Sequence, residues 1–156
     1  MVPISRICIV GGGTAGWMTA AALSNKFKNL DFEISLTESE QIGTVGVGEA
    51  TLPHIRYFNQ ALGIDEAEFM KLTEATFKLG IEFCDWGCLG DHYIHPFGDY
   101  GVPVDDLDFH QLWLKQHQAG AAGRISDYSY PIIAAEQGRF HLPGDDPGQI
   151  GSNFGY

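Results

Sequence analysis

A chain of 156 residues with 44% hydrophobic and 12% aromatic content has the material for a folded core and is not a disordered polymer. Twenty acidic against nine basic residues give a formal charge of −11, which repels nucleic acid and anionic lipid and argues against either as a partner. No apolar run approaches the roughly 20 residues needed to span a bilayer, and three cysteines make no disulfide framework. The expectation is a cytoplasmic protein, off the membrane, with its thiols reduced.

The first element is an apolar strand, Arg6-Ile7-Cys8-Ile9-Val10, expected to be buried. It runs into Gly11-Gly12-Gly13-Thr14-Ala15-Gly16 and then into an alanine-rich helix that continues Trp17-Met18-Thr19. The pattern G-x-G-x-x-G falls on Gly11, Gly13 and Gly16. The first glycine permits a tight bend, the second lets backbone approach a pyrophosphate, and the third lets the helix pack on the strand. Phosphate would sit at the helix N-terminus, at Thr14 and Ala15, where free N–H groups and the helix dipole converge. A second strand, Phe32 to Thr37, ends at Glu38, an acid placed to accept hydrogen bonds from a ribose hydroxyl pair. This order predicts a dinucleotide site.

Next comes Gln41 to Thr51, with glycines at 43, 46 and 48, a spacing that suits either a flexible loop or a strip of closely approached backbone. Pro53 starts a helix with Ile55, Phe58 and Leu62 on one face, and Gly63 ends it. A further helix to about Thr76 has Asp65 as cap, with Glu68 completing an acidic capping box and Ile64 and Phe69 as staple. Phe77 to Phe83 then alternates as a strand, with Phe77, Leu79, Ile81 and Phe83 on one face and Lys78, Gly80 and Glu82 on the other. By periodicity alone Lys78 and Glu82 are ordinary surface charges.

From Trp86 to Val104 the composition predicts a long loop. A helix follows from Leu107 to about Gln118, capped by Asp106 or Asp108 and broken by Gly120 to Gly123. Cys84, Cys88, His92 and His95 offer four zinc ligands on paper, but at a compact spacing split between strand and loop, so no metal is expected. His110 and His117 share a helical face at the wrong interval for joint coordination, and Asp105, Asp106 and Asp108 lack calcium-loop spacing. With only two strands of a first βαβ unit and one further strand in view, a parallel sheet needing cover on both faces is incomplete.

Three segments together resemble the flavin-dependent halogenases of the tryptophan-halogenase type: Gly11 to Met18, Gly46-Val47-Gly48-Glu49-Ala50-Thr51, and Phe77 to Phe83 with Trp86 close behind. The likeness covers essentially the whole chain but only about the first third of a typical member. It implies an α/β, Rossmann-like FAD-binding fold of the flavin monooxygenase and halogenase type, incomplete in this chain, with residues 1–156 as the N-terminal part of the FAD-binding domain. It implies FAD supplied reduced by a separate flavin reductase, with oxygen and halide giving hypohalous acid that reaches a small aromatic substrate of the indole or tryptophan type. A homodimer is the candidate assembly.

By the same resemblance Lys78 is the catalytic lysine, and Val47, Gly48, Glu49 and Ala50 belong to a strap against the flavin. A lysine on a rigid strand is a well-positioned donor, and Gly80 beside it leaves room for an oxidant or a ring. The W-x-W-x-I-P motif of the family, and the glutamate that members pair with the lysine, fall beyond this stretch. Two other readings use the same residues. One is a flavin monooxygenase that hydroxylates, and the other is a noncatalytic flavin-binding fragment.

Overall fold

The computed structural model describes residues 4–43, 50–142 and 153–156. The chain divides into two compact units. One comprises Met1–Glu49 and Phe58–Asp65, the other Ala50–Tyr57 and Glu66–Tyr156.

In the first unit β1 (Arg6–Val10) and β2 (Glu33–Thr37) pair in parallel, with Ile7 opposite Ile34 and Ile9 opposite Leu36. The connection is α1 (Thr14–Lys26), which packs on the two strands. Parallel strands need such a crossover because each must re-enter the sheet from the same end. At the C-terminus of α1, Phe27 stacks on Phe32, their ring centroids 4.7 Å apart. Asn25 on α1 donates to the Ala61 carbonyl at 2.7 Å. Contrary to the expectation of a buried strand, β1 alternates between exposed and half-buried residues, and Val10 is 84% exposed. The reason is that α1 covers one face of a sheet with two strands among the described residues.

The helix α2 (His54–Leu62) follows Pro53, spans the division between the units, and ends at Gly63 with φ +72°, as anticipated. Asp65 immediately precedes α3 (Glu66–Thr73), which stops three residues before the expected Thr76 as Glu74 turns into the left-handed region.

The second unit holds two corrections to the strand expectations. Regular pairing begins at Gly80, so β3 is Gly80–Cys84. Lys78 lies before it, in a separate antiparallel bridge to Gly155. The expected loop from Trp86 to Val104 contains β4 (His92–Pro96), antiparallel to β3 with Gly80 opposite Pro96 and Cys84 opposite His92. Asp85 and Asp91 close the intervening turn, accepting from the Gly90 and Cys88 N–H groups. These side-chain bonds act together with Gly87 and with Gly90, which takes φ +93°, to form the turn.

Beyond it run α4 (Phe109–Gln118), a short 3-10 turn (Ile125–Tyr128) and α5 (Tyr130–Glu136). Asp108, not Asp106, occupies the position before α4, and its side chain makes no capping hydrogen bond. Asp105 and Asp106 instead adopt positive φ in the preceding turn. The core comprises Leu79, Ala134, Phe154 and Tyr156, with Ile55, Phe69, Met70, Ala75 and Phe140 packed against it. Phe154 is fully buried, edge-on to the stacked pair Phe77 and Phe140.

Candidate functional site

The glycine turn follows from local geometry. Gly11 takes φ +113°, a region that glycine alone enters freely, and its N–H donates to the Thr37 carbonyl at 2.9 Å. The turn is thus tied to the end of β2. A Cβ on Gly16 would lie 1.8 Å from the Gly11 carbonyl oxygen, so the third glycine lets the helix approach the turn itself. Gly12, which the motif leaves unspecified, is equally constrained: a Cβ there would lie 1.8 Å from Glu38 Oε2 and 2.5 Å from Glu38 Cβ. At Gly13 a Cβ would meet nothing within 4 Å. The space in front of that residue is open, as a ligand lying across the turn requires.

A cavity of about 710 Å³ opens here, lined by Val10 to Thr14, by Thr37, Glu38 and Ser39, and by Ile42 and Gly43. Of the residues singled out from sequence, Gly11, Gly13, Thr14 and Glu38 meet at this cavity, while Ala15 and Gly16 form the first turn of α1. That first turn itself carries no acidic residue, and the one carboxylate named at the cavity is Glu38 at the end of β2. These features fit the phosphate and ribose portion of FAD: an uncrowded backbone turn, a helix N-terminus, and a carboxylate at the end of β2. Val47, Gly48 and Glu49 lie outside the described residues. Ala50 belongs to the second unit and is exposed.

Lys78, also in the second unit, is half-buried, not displayed on a solvent face. Its backbone is held by Gly155 through Lys78 N–H to Gly155 O at 3.0 Å and Gly155 N–H to Lys78 O at 2.9 Å. Its Nζ lies 5.4 Å from the centre of the Phe97 ring, within range of attraction to the ring face. Among the described residues no carboxylate pairs with it. Gly80 does not leave room for a ligand as expected. A Cβ there would lie 2.5 Å from the His95 carbonyl oxygen and 3.1 Å from Pro96 Cα, so its missing side chain admits the β4 backbone.

The four zinc candidates do not converge. Along β4, His92 and Ile94 share one face and His95 points to the other. Glu82, Cys84 and His92 do come together, their ligand atoms within 4.8 Å of one another on the exposed hairpin surface, with Glu82 already paired to His92. His117 stacks on Trp113 and its Nδ1 lies 3.1 Å from the Ala122 carbonyl, which accounts for it without His110.

Sequence reasoning missed Gly12, Phe97 and Gly155. Gly12 could have been found from the acid after β2, whereas the other two are joined to their partners only through β4 and the distant 153–156 segment.

Residues 6–156 match the family model described as tryptophan halogenase. The 7-chloro-L-tryptophan 6-halogenase KtzR of Kutzneria sp. (strain 744) is 47% identical over 106 residues, which cover 65% of this chain and 20% of that protein. Among solved structures, the flavin-dependent halogenase Xcc4156 from Xanthomonas campestris is 46% identical with a TM-score of 0.87, over 97% of this chain and 30% of its own. BrvH, a flavin-dependent halogenase from Brevundimonas sp. BAL3, is 44% identical with a TM-score of 0.85, over 98% and 30%. The chain therefore spans less than a third of the length of these relatives. Its fold is the incomplete Rossmann-like FAD-binding fold, and it belongs to the tryptophan halogenase family.

Proposed function

We propose that the polypeptide carrying this chain is a cytoplasmic flavin-dependent halogenase acting on an electron-rich arene of the indole or tryptophan type. FAD would lie across Gly11, Gly13, Thr14, Ala15 and Gly16, its ribose hydroxyls on Glu38. Val47, Gly48, Glu49 and Ala50 would form the strip of backbone against the flavin ring. When bound and reduced by a separate flavin reductase, FAD supplies two electrons and the halide two more, so that oxygen ends as one water and one hypohalous acid.

Lys78 has the chemistry to manage that oxidant. As an ammonium it donates a hydrogen bond to the hypohalous oxygen. As a free amine it takes the halogen and releases water, forming a haloamine. In either form the arene carbon then receives electrophilic halogen and gives up its ring proton. Gly155 fixes the lysine backbone and the Phe97 ring lies beside the ammonium, so the donor has a defined place instead of sweeping through solvent. The single observation that carries this reading is a half-buried lysine, free of any carboxylate among the described residues, in a chain of this family.

The test uses the longest form of the polypeptide with FAD, a flavin reductase, oxygen, bromide and a panel of indoles, and mass-spectrometric detection. A brominated product that disappears in Lys78→Ala is expected. A product carrying extra oxygen and no bromine would make the protein a hydroxylating monooxygenase. Undiminished bromination by Lys78→Ala would remove the lysine from the chemistry.

A further inference from the structure

Lys78 sits outside the regular hairpin, two residues before β3 begins, and its backbone takes its place from the segment Phe154-Gly155-Tyr156. Gly155 exchanges both of its backbone hydrogen bonds with Lys78, at 3.0 and 2.9 Å. The next residue turns its polar groups to the opposite edge, as successive residues of an extended chain do. There the Thr51 N–H donates to the Tyr156 carbonyl at 2.7 Å, the Tyr156 N–H donates to Thr51 Oγ1 at 2.8 Å, and the Thr51 hydroxyl donates to the Tyr156 carbonyl at 3.1 Å.

One extended segment therefore lies between Lys78 and Thr51 and is bonded to both. It is also immobilised along its length. Phe154 is fully buried with the Arg56 guanidinium 3.9 Å from its ring centre, and the Tyr156 hydroxyl donates to Glu66, which pairs with Arg56. No slack exists at the middle residue, where a Cβ on Gly155 would lie 2.6 Å from the Thr51 carbonyl oxygen.

We infer that Thr51 and Gly155 are positioning residues for Lys78: Thr51 fixes the register of the 154–156 segment, and Gly155 passes that register to the lysine backbone. The inference rests on the reading of Lys78 as the catalytic lysine. It gives Thr51, the residue that closes the strip Gly46 to Thr51, a mechanical link to the lysine that needs no side-chain contact between them. Displacement of the lysine by a fraction of an ångström should let hypohalous acid escape before it meets the arene.

The experiment compares Thr51→Val, Thr51→Ser and Gly155→Ala with Lys78→Ala in the longest form of the polypeptide, with reductase, FAD, oxygen, bromide and indole. It measures brominated indole, bromination of a scavenger added to the solvent, KM for indole, and FAD affinity. Thr51→Val keeps the side-chain shape but loses the hydroxyl. It is expected to lower kcat for indole by about tenfold or more, with KM and FAD affinity unchanged and scavenger bromination increased, while Thr51→Ser restores the parent values. Gly155→Ala is expected to act in the same direction, and Thr51→Val carries the test should that variant fail to fold. If Lys78→Ala abolishes indole bromination but Thr51→Val leaves both indole and scavenger products unchanged, the positioning role is overturned and the lysine stands. A fall in FAD affinity that fully accounts for the loss in Thr51→Val would also overturn it. Undiminished bromination by Lys78→Ala would overturn the reading beneath it.

Discussion

The Glu38 carboxylate occupies the space that a side chain at Gly12 would need, since a Cβ built there would lie 1.8 Å from Oε2. The acid at the end of β2 and a residue of the glycine turn are thus fitted to each other before any ligand arrives. Gly12→Ala must push Glu38 off the turn. We expect this variant to weaken FAD binding by about tenfold or more, the loss of one well-placed charge-assisted hydrogen bond at the ribose, as read by flavin fluorescence titration. Unchanged affinity would show that Glu38 has no part in holding the cofactor.

Gly13 and Gly16 separate ligand space from folding space. A methyl on Gly13 meets nothing in the protein, whereas one on Gly16 would collide with the Gly11 carbonyl oxygen. Gly13→Ala should bind FAD poorly with Tm close to that of the parent protein. Gly16→Ala should be destabilised by about 1–3 kcal/mol, the usual cost of forcing extra atoms into a filled space. Thermal unfolding without flavin, set beside flavin titration, tests both, and a Gly13→Ala variant of normal affinity would mean that the pyrophosphate does not cross the turn there.

Tyr156 makes stability depend on alkaline pH. Burial, and then the hydrogen bond and negative charge of Glu66, push its phenol up from 10.0 to about 12, outweighing the opposing pull of Arg56. The folded state therefore holds the phenolic proton more tightly than the unfolded one. The stabilisation is fully present below pH 10 and is lost as the pH rises from 10 to about 12. The difference in Tm between the parent protein and Tyr156→Phe should be constant below this window and shift in favour of the phenylalanine variant within it. A difference that stays flat up to pH 12 would contradict the assignment.

Phe154 is fully buried against Phe77, Phe140 and Tyr156, with Arg56 over its ring. Phe154→Ala should cost about 3–5 kcal/mol, the range for truncating a buried aromatic. In contrast, Glu82→Gln breaks only the exposed pair with His92 and should change stability by less than about 1 kcal/mol. Urea unfolding of the two variants measures both. A loss in Glu82→Gln as large as that in Phe154→Ala would contradict the assignment of the second unit's stability chiefly to the aromatic cluster.

β1, the glycine turn, α1 and β2 are readable from the residues in order, because each is a local pattern: an apolar run, residues that permit a tight bend, a helical stretch, and a second apolar run ending in an acid. The helices α2 and α4 were legible from apolar spacing and from the glycines beyond them, and α3 from the Asp65, Glu68, Ile64 and Phe69 pattern at its start. Lys78 could be singled out only through resemblance, since alternation alone made it a surface charge.

The remaining features depend on contacts between residues far apart along the chain. β4 carries no clear strand signal in His92-Tyr93-Ile94-His95-Pro96, and it is a strand because β3 supplies hydrogen bonds to it. That pairing put His95 on the face opposite His92 and dissolved the four-ligand arrangement that linear spacing had offered. It also filled the space beside Gly80 with backbone. Periodicity reports which side of a strand a residue faces but not what lies there. Gly155 shows the limit most plainly, because its bonded partner Lys78 and the Thr51 carbonyl packed against it are distant along the chain and meet it only when the aromatic core has closed around Phe154 and Tyr156.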